Sequence, residues 1–148
     1  MPTRFDVPWS VDTNILVYAT AMDAPASRQT VAQDLLAKLF RNPHACLAGQ
    51  VLSEYLSVVI RKKAMAHAAA HEAISTWSRA TRVLGASAQA YEQAWQLTAR
   101  HKYPMWDALI IAICAEHGVK TLYSENAGAL KRPLGVQVVN PFVPLEIT

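Results

Sequence analysis

Only two cysteines occur among the 148 residues, Cys46 in Ala45-Cys46-Leu47 and Cys114 in Ile113-Cys114-Ala115. They have no CxxC spacing, which argues against a zinc site built from thiolates. Two buried thiols behaving as small hydrophobes are expected instead. Charge is sparse, at 17% of residues. No apolar stretch approaches bilayer length: the longest with helical character, Ala108 to Ala115, falls far short of the ~20 residues a spanning helix needs. The amino terminus carries Asp6 early and shows neither an apolar signal core nor a small-residue cleavage site, so a cytoplasmic protein is expected. No Ser/His/Asp order, Walker loop or dinucleotide glycine pattern is found, which argues against those nucleophilic and nucleotide-binding chemistries. Internal repeats, low-complexity tracts and linkers are also missing.

What is present suits one globular domain over residues 1–148. Hydrophobic residues reach 52%, enough for a core without covalent staples. The formal net charge of +3 permits a phosphate-rich partner without requiring one. The 11 acids are more informative, because several fall at the ends of apolar segments.

Strand and helix patterns alternate along the chain. Phe5 to Val11 reads as a first strand ending at Asp12-Thr13-Asn14, and Ile15 to Ala21 as a short helix. A second helix starts near Pro25; Val31, Leu35, Leu36, Leu39 and Phe40 share its face, and Asn42-Pro43 stops it. Ala45 to Ala48 is a short apolar strand. Gly49-Gln50 leads into a helix that ends in Arg61-Lys62-Lys63, where cations suit the negative end of the helix dipole. Helices are expected over Ala66–Arg82, from Ser87 or Ala88 to His101, and over Trp106–His117 with Pro104 as its first residue. Further strands are expected at Arg82–Leu84, Thr121–Ser124 and Gly135–Val139. The alternation predicts a three-layer α/β fold whose central, mainly parallel sheet is flanked by helices.

In open parallel sheets functional groups gather at the carboxyl ends of the strands. Asp12 ends the first strand, Glu54 lies about one turn into the helix after the second, and Glu125 and Asn126 follow the Thr121–Ser124 strand. Asp107 sits in the first turn of the preceding helix and opens toward the same side. Taken singly, each has an ordinary structural role. Asp12 and Asn126 suit turns, and Glu54 and Asp107 suit helix N-termini. Taken together, converging carboxylates repel unless a cation neutralises them. Oxygen ligands of this kind favour magnesium or manganese, ions that promote phosphodiester hydrolysis.

Five ordered segments resemble the PIN-domain family, in particular the VapC-type toxins of bacterial toxin–antitoxin pairs. They are Val11-Asp12-Thr13-Asn14-Ile15-Leu16-Val17-Tyr18-Ala19, Gln50-Val51-Leu52-Ser53-Glu54-Tyr55, Trp106-Asp107-Ala108-Leu109-Ile110-Ile111-Ala112, Thr121-Leu122-Tyr123-Ser124-Glu125-Asn126 and Val139-Asn140-Pro141-Phe142. The resemblance implies a PIN-like fold and Mg²⁺- or Mn²⁺-dependent endoribonuclease activity. It also implies a metal pocket of Asp12 and Asp107 completed by Glu54, which ligates the ion or orients the attacking water. Homodimerisation and silencing by a cognate antitoxin are implied as well. One position departs: Asn126 stands where relatives commonly carry a fourth acid. An amide oxygen can touch a hard cation but brings no charge, which favours weaker occupancy of a second metal. Glu125 could offset this from a flexible turn, but relatives often carry that Glu as well as the acid, so its presence is not a repair.

Outside the acids, Arg61, Lys62, Lys63, Arg100, Lys102, Lys131 and Arg132 offer a basic rim for a phosphate backbone, or simply solvated helix ends. Trp9, Trp77, Trp95 and Trp106 are expected to anchor the core or an interface. His67 and His71 form an i, i+4 pair without a third ligand in view. Two rivals stand beside the nuclease: a PIN-like binding module acting through antitoxin or RNA contacts, and a phosphatase-like metal hydrolase on a similar sheet.

Overall fold

A computed structural model describes residues 5–126 and 128–143. Five strands and six α-helices alternate much as the sequence pattern predicts. They run β1 (Trp9–Val11), α1 (Thr13–Thr20), α2 (Ala26–Arg41), β2 (Cys46–Ala48), α3 (Gly49–Arg61), α4 (His67–Ala80), β3 (Arg82–Leu84), α5 (Ala88–His101), α6 (Met105–Glu116), β4 (Thr121–Tyr123) and β5 (Gln137–Val139).

Every strand pairing is parallel. β4 lies between β1 and β5, with Trp9 opposite Thr121 and Thr121 opposite Gln137. β2 pairs with β3, and a single bridge from Trp9 to Ala45 joins this pair to β1. The order across the sheet is therefore β3-β2-β1-β4-β5. The chain moves outward from β1 in one direction, then returns to place β4 on the other side. This reversal opens a crevice beyond the carboxyl ends of β1 and β4, the usual ligand position in such sheets.

The strands are shorter than the sequence suggests. β1 begins at Trp9 rather than Phe5: Pro8 has no N–H for a ladder, although its carbonyl accepts from Lys120 N at 2.8 Å. Phe5 instead stacks on Tyr123 and meets Trp9 edge-on. β5 begins at Gln137 because Pro133–Gly135 forms a tight 3₁₀ turn with Leu134 at φ 52°. At α6, Pro104 is the N-cap, one residue before the position expected.

Burial explains why α6 is apolar on all sides. Ala108 through Cys114 are all buried, so no face of this stretch meets water and no polar stripe is needed. Trp9, Val11, Leu47 and Leu122 supply the sheet side of the core. Cys46 and Cys114 are free and buried, and burial pushes both thiols upward in pKa, which keeps them unreactive. Trp9 and Trp77 are core residues, whereas Trp95 and Trp106 stand 52% and 61% exposed. Neither of those two is a core residue, and Trp95 pairs with the Tyr91 ring on the same helix. No helix among the described residues is long and apolar enough to cross a membrane.

Candidate metal centre

Asp12 follows β1 directly and is the N-cap of α1. Its position is fixed from three directions. The Asp12 N–H donates to the Tyr123 carbonyl at 2.8 Å, its Oδ1 accepts from Thr13 N at 2.7 Å, and its Oδ2 accepts from the Ser124 hydroxyl at 2.7 Å. These bonds tie the ends of β1 and β4 together across the crevice. Asp12 is only 5% exposed. Burial raises its pKa, against the lowering pull of the Ser124 and Thr13 bonds, and the charge of Glu54 raises it further.

Glu54 projects from α3 and is held at both oxygens. Thr13 Oγ1 donates to Oε2 at 3.0 Å and Gln50 Nε2 to Oε1 at 2.6 Å. The same Gln50 amide donates to the Trp106 carbonyl at 3.1 Å, linking α3 to the first turn of α6, one residue before Asp107. Side chains four apart on a helix meet on one face, so the Gln50–Glu54 spacing is what makes this clamp possible.

Asp107 differs from both. No described residue donates a hydrogen bond to its carboxylate. A helix N-terminus favours an anion, yet its pKa is pushed up to about 6, first by burial and then by the charges of Asp12 and Glu54. Three carboxylates from α1, α3 and α6 thus feel one another across a cleft of about 300 Å³, which Asn126 and Lys62 also line. They border this cleft without meeting at one point: among the described residues, no three His, Cys, Asp or Glu side chains form a ready ligand set.

Asn126 reaches the cleft from the loop after β4, its N–H donating to the Ser124 hydroxyl at 3.0 Å. The same loop is fastened farther on. Gly128 has φ +72°, and a Cβ there would lie 2.4 Å from the Tyr103 ring. The Tyr103 hydroxyl accepts from Leu130 N at 3.0 Å. Since Tyr103 directly precedes the Pro104 cap, one aromatic ring couples the Asn126 loop to the start of α6.

Glu125 does not offset the missing acid. It forms an ion pair with Arg28 and accepts from the Tyr18 hydroxyl at 2.8 Å, while the Arg28 guanidinium lies over the Tyr18 and Phe142 rings. Two partners outside the acidic set hold its carboxylate, in keeping with the reading that its presence is not a repair.

His67 and His71 are both exposed on α4, and no metal grouping among the described residues includes them. Thr13, Gln50 and Ser124 were not picked out by their own chemistry in the sequence. They matter because they orient the carboxylates, and the only signal for them was that each lies within four residues of an acid.

The donor set is chemically suited to a hard divalent cation. It offers carboxylate oxygens, an amide oxygen at Asn126, and mutual repulsion that a cation would relieve.

Comparison with known proteins agrees with this architecture. No curated protein matches the sequence. Among solved structures, VapC20 of Mycobacterium tuberculosis, a toxin described as cleaving the sarcin–ricin loop, is 26% identical, with 78% of this chain and 88% of that chain covered at a TM-score of 0.64. FitAcB of Neisseria gonorrhoeae is 18% identical, covering 90% and 98%, with a TM-score of 0.67. VapBC2 of Rickettsia felis, bound to a promoter DNA fragment, is 20% identical, covering 90% and 98%, with a TM-score of 0.66. The family model for the PIN domain matches residues 10–133, which runs from within β1 past β4 and takes in Asp12, Glu54, Asp107 and Asn126; the chain belongs to the PIN domain family.

Proposed function

We propose that the protein is a Mg²⁺- or Mn²⁺-dependent endoribonuclease and the toxin of a toxin–antitoxin pair. The observation that carries this reading is Asp107: a half-buried carboxylate with no hydrogen-bond donor among the described residues, its pKa pushed up to about 6 beside Asp12 and Glu54. Such an arrangement is costly by itself and is relieved by a divalent cation. The likeness to a toxin that cleaves RNA supports the choice of substrate.

In this reading Asp12 and Asp107 would hold the cation, with Asn126 offering a neutral oxygen; when bound, the ion would supply positive charge for the scissile phosphate and acidify a water. Glu54, steadied by Thr13 and Gln50, orients the attacking water for in-line attack. A new P–O bond forms as the bond to the departing ribose oxygen breaks; the proton the water gives up passes to solvent, and the departing oxygen takes one up. The Ser124 hydrogen bond keeps Asp12 aimed into the cleft and favours its charged form.

A cognate antitoxin, cytoplasmic residence and a homodimer complete the proposal. The likeness in fold to a toxin–antitoxin complex from Klebsiella pneumoniae supports the antitoxin. Exposed Tyr91 and Trp95, paired on α5 with ring centroids 6.3 Å apart, support self-association. A second reading, a binding module that has lost strong catalysis, is favoured by one observation: Asn126 where the family commonly carries an acid.

Incubation of structured and single-stranded RNA with Mn²⁺ separates these readings. Cleavage that disappears in Asp12→Asn and Asp107→Asn supports the nuclease. Cleavage unchanged in both variants contradicts the mechanism, and absence of cleavage together with tight RNA or antitoxin binding supports the module.

A further inference from the structure

A second cavity adjoins the acidic cleft. It has a volume of about 270 Å³ and shares Val17, Val58 and Lys62 with the cleft, so the two lie side by side along one wall. The sequence explains that shared wall. Glu54, Val58 and Lys62 recur every four residues along α3 and form one stripe, about 12 Å long at 1.5 Å per residue. Thr13 and Val17 provide the facing stripe on α1. A trough therefore runs between the two helices, with carboxylates at one end and lysines at the other.

The basic end closes in a left-handed turn held by a lysine, as the end of α5 also does at Lys102. α3 closes with Lys63 N–H on the Ile60 carbonyl at 3.0 Å and Ala64 N–H on the Val59 carbonyl at 2.9 Å, the paired bonds that usually end on glycine. Here the left-handed position is Lys63, at φ 52°, a conformation disfavoured for a residue with a side chain. Neither Lys62 nor Lys63 forms an ion pair with a described residue. Both line the second cavity, together with Met22, which is 94% exposed at its rim, and Asp23.

We propose that this cavity is a nucleotide subsite. It would hold one residue of the RNA strand flanking the cleaved bond, with its phosphate on Lys62 and Lys63 and its base against Val17, Val58 and Met22. The thioether of Met22 is polarisable and adapts to a flat ring, and the Asp23 carboxylate offers an acceptor to an exocyclic amino group. A strand whose reacting phosphate lies by Glu54 carries a neighbouring phosphate along the α3 stripe to Lys62. The lysines supply the positive charge that the acidic cleft cannot, and with it most of the affinity for the strand. This assignment rests on the ribonuclease reading.

The test is binding of a short fluorescein-labelled single-stranded RNA in EDTA, followed by anisotropy across a salt series, so that neither cation nor cleavage enters. Lys62→Gln with Lys63→Gln should weaken binding about tenfold at low salt and flatten the log–log salt slope by about 0.7, the share of the one phosphate that the two lysines hold. Met22→Ala should weaken binding of adenosine monophosphate while leaving inorganic phosphate unaffected. Lys63→Gly separates structure from recognition: it relieves the left-handed strain and should raise Tm, yet weaken RNA binding. Wild-type affinity and salt slope in the double glutamine variant overturn the subsite, and if the unaltered protein still cleaves RNA with Mn²⁺, the ribonuclease reading survives. If the unaltered protein neither binds nor cleaves RNA, both fall together.

Discussion

Ser124 donates its hydroxyl to Asp12 Oδ2 at 2.7 Å across a sequence separation of 112 residues. The contact exists because β1 and β4 are neighbours in register, Val11 opposite Tyr123, so the residues that follow each strand face one another. It fixes a buried carboxylate and lowers a pKa that burial raises. Ser124→Ala should therefore cost about 1.5–3 kcal/mol, the usual worth of a hydrogen bond to a charged group, as read from denaturant unfolding. It should also move the acid limb of the pH–activity profile to higher pH, because Asp12 loses an interaction that favours its anion. Wild-type stability together with an unmoved acid limb contradicts this role.

Asp107 gives a pH dependence with a definite sign. In the folded chain its carboxyl keeps a proton up to about pH 6, against an ordinary value of 3.8. Between these values the native state binds more protons than the unfolded one, so stability falls as pH rises. The contribution is full below pH 3.8 and is lost as pH passes 6. In EDTA, Asp107→Asn should thus be more stable than the unaltered protein at pH 8, with the difference closing toward pH 4. A difference independent of pH counts against the proposed electrostatic coupling.

The Tyr103 ring leaves no room for a side chain at residue 128. Gly128→Ala combines that clash with a left-handed backbone and should cost roughly 1–3 kcal/mol. Cleavage should fall more steeply than stability alone implies, since the same ring couples the Asn126 loop to α6. Melting curves and initial rates on one preparation check both parts; unchanged Tm and rate would show that the loop accommodates a methyl group.

Asn126→Asp restores an acid at the rim of the cleft. A further negative oxygen strengthens divalent binding, so the half-saturating Mn²⁺ concentration for RNA cleavage should drop several-fold. An unchanged or higher requirement would place residue 126 outside the coordination sphere.

Much of this is legible in the sequence. The spacing of Val31, Leu35 and Leu39 marks α2, and Asp12, Glu54 and Asp107 stand out because each lies at or within about a turn of the end of an apolar element. Strand ends differ from the sequence pattern where the decisive fact is three-dimensional. Phe5 is apolar and β-favouring, yet it packs against Tyr123 rather than extending β1. Glu125 illustrates the same limit at the site: its partners Arg28 and Tyr18 come from α2 and α1, and nothing in its local sequence points to them. The α3 stripe lies in between. Its four-residue repeat is plain in the sequence, but its meaning depends on α1 packing opposite it.

The most direct measurement is calorimetric titration of the metal-free protein with Mn²⁺ at pH 7.5, alongside Asp12→Asn and Asp107→Asn. The account predicts saturable binding by the unaltered protein, weakened at least tenfold in each variant. Binding equally strong in all three proteins, or none in the unaltered one, would contradict it.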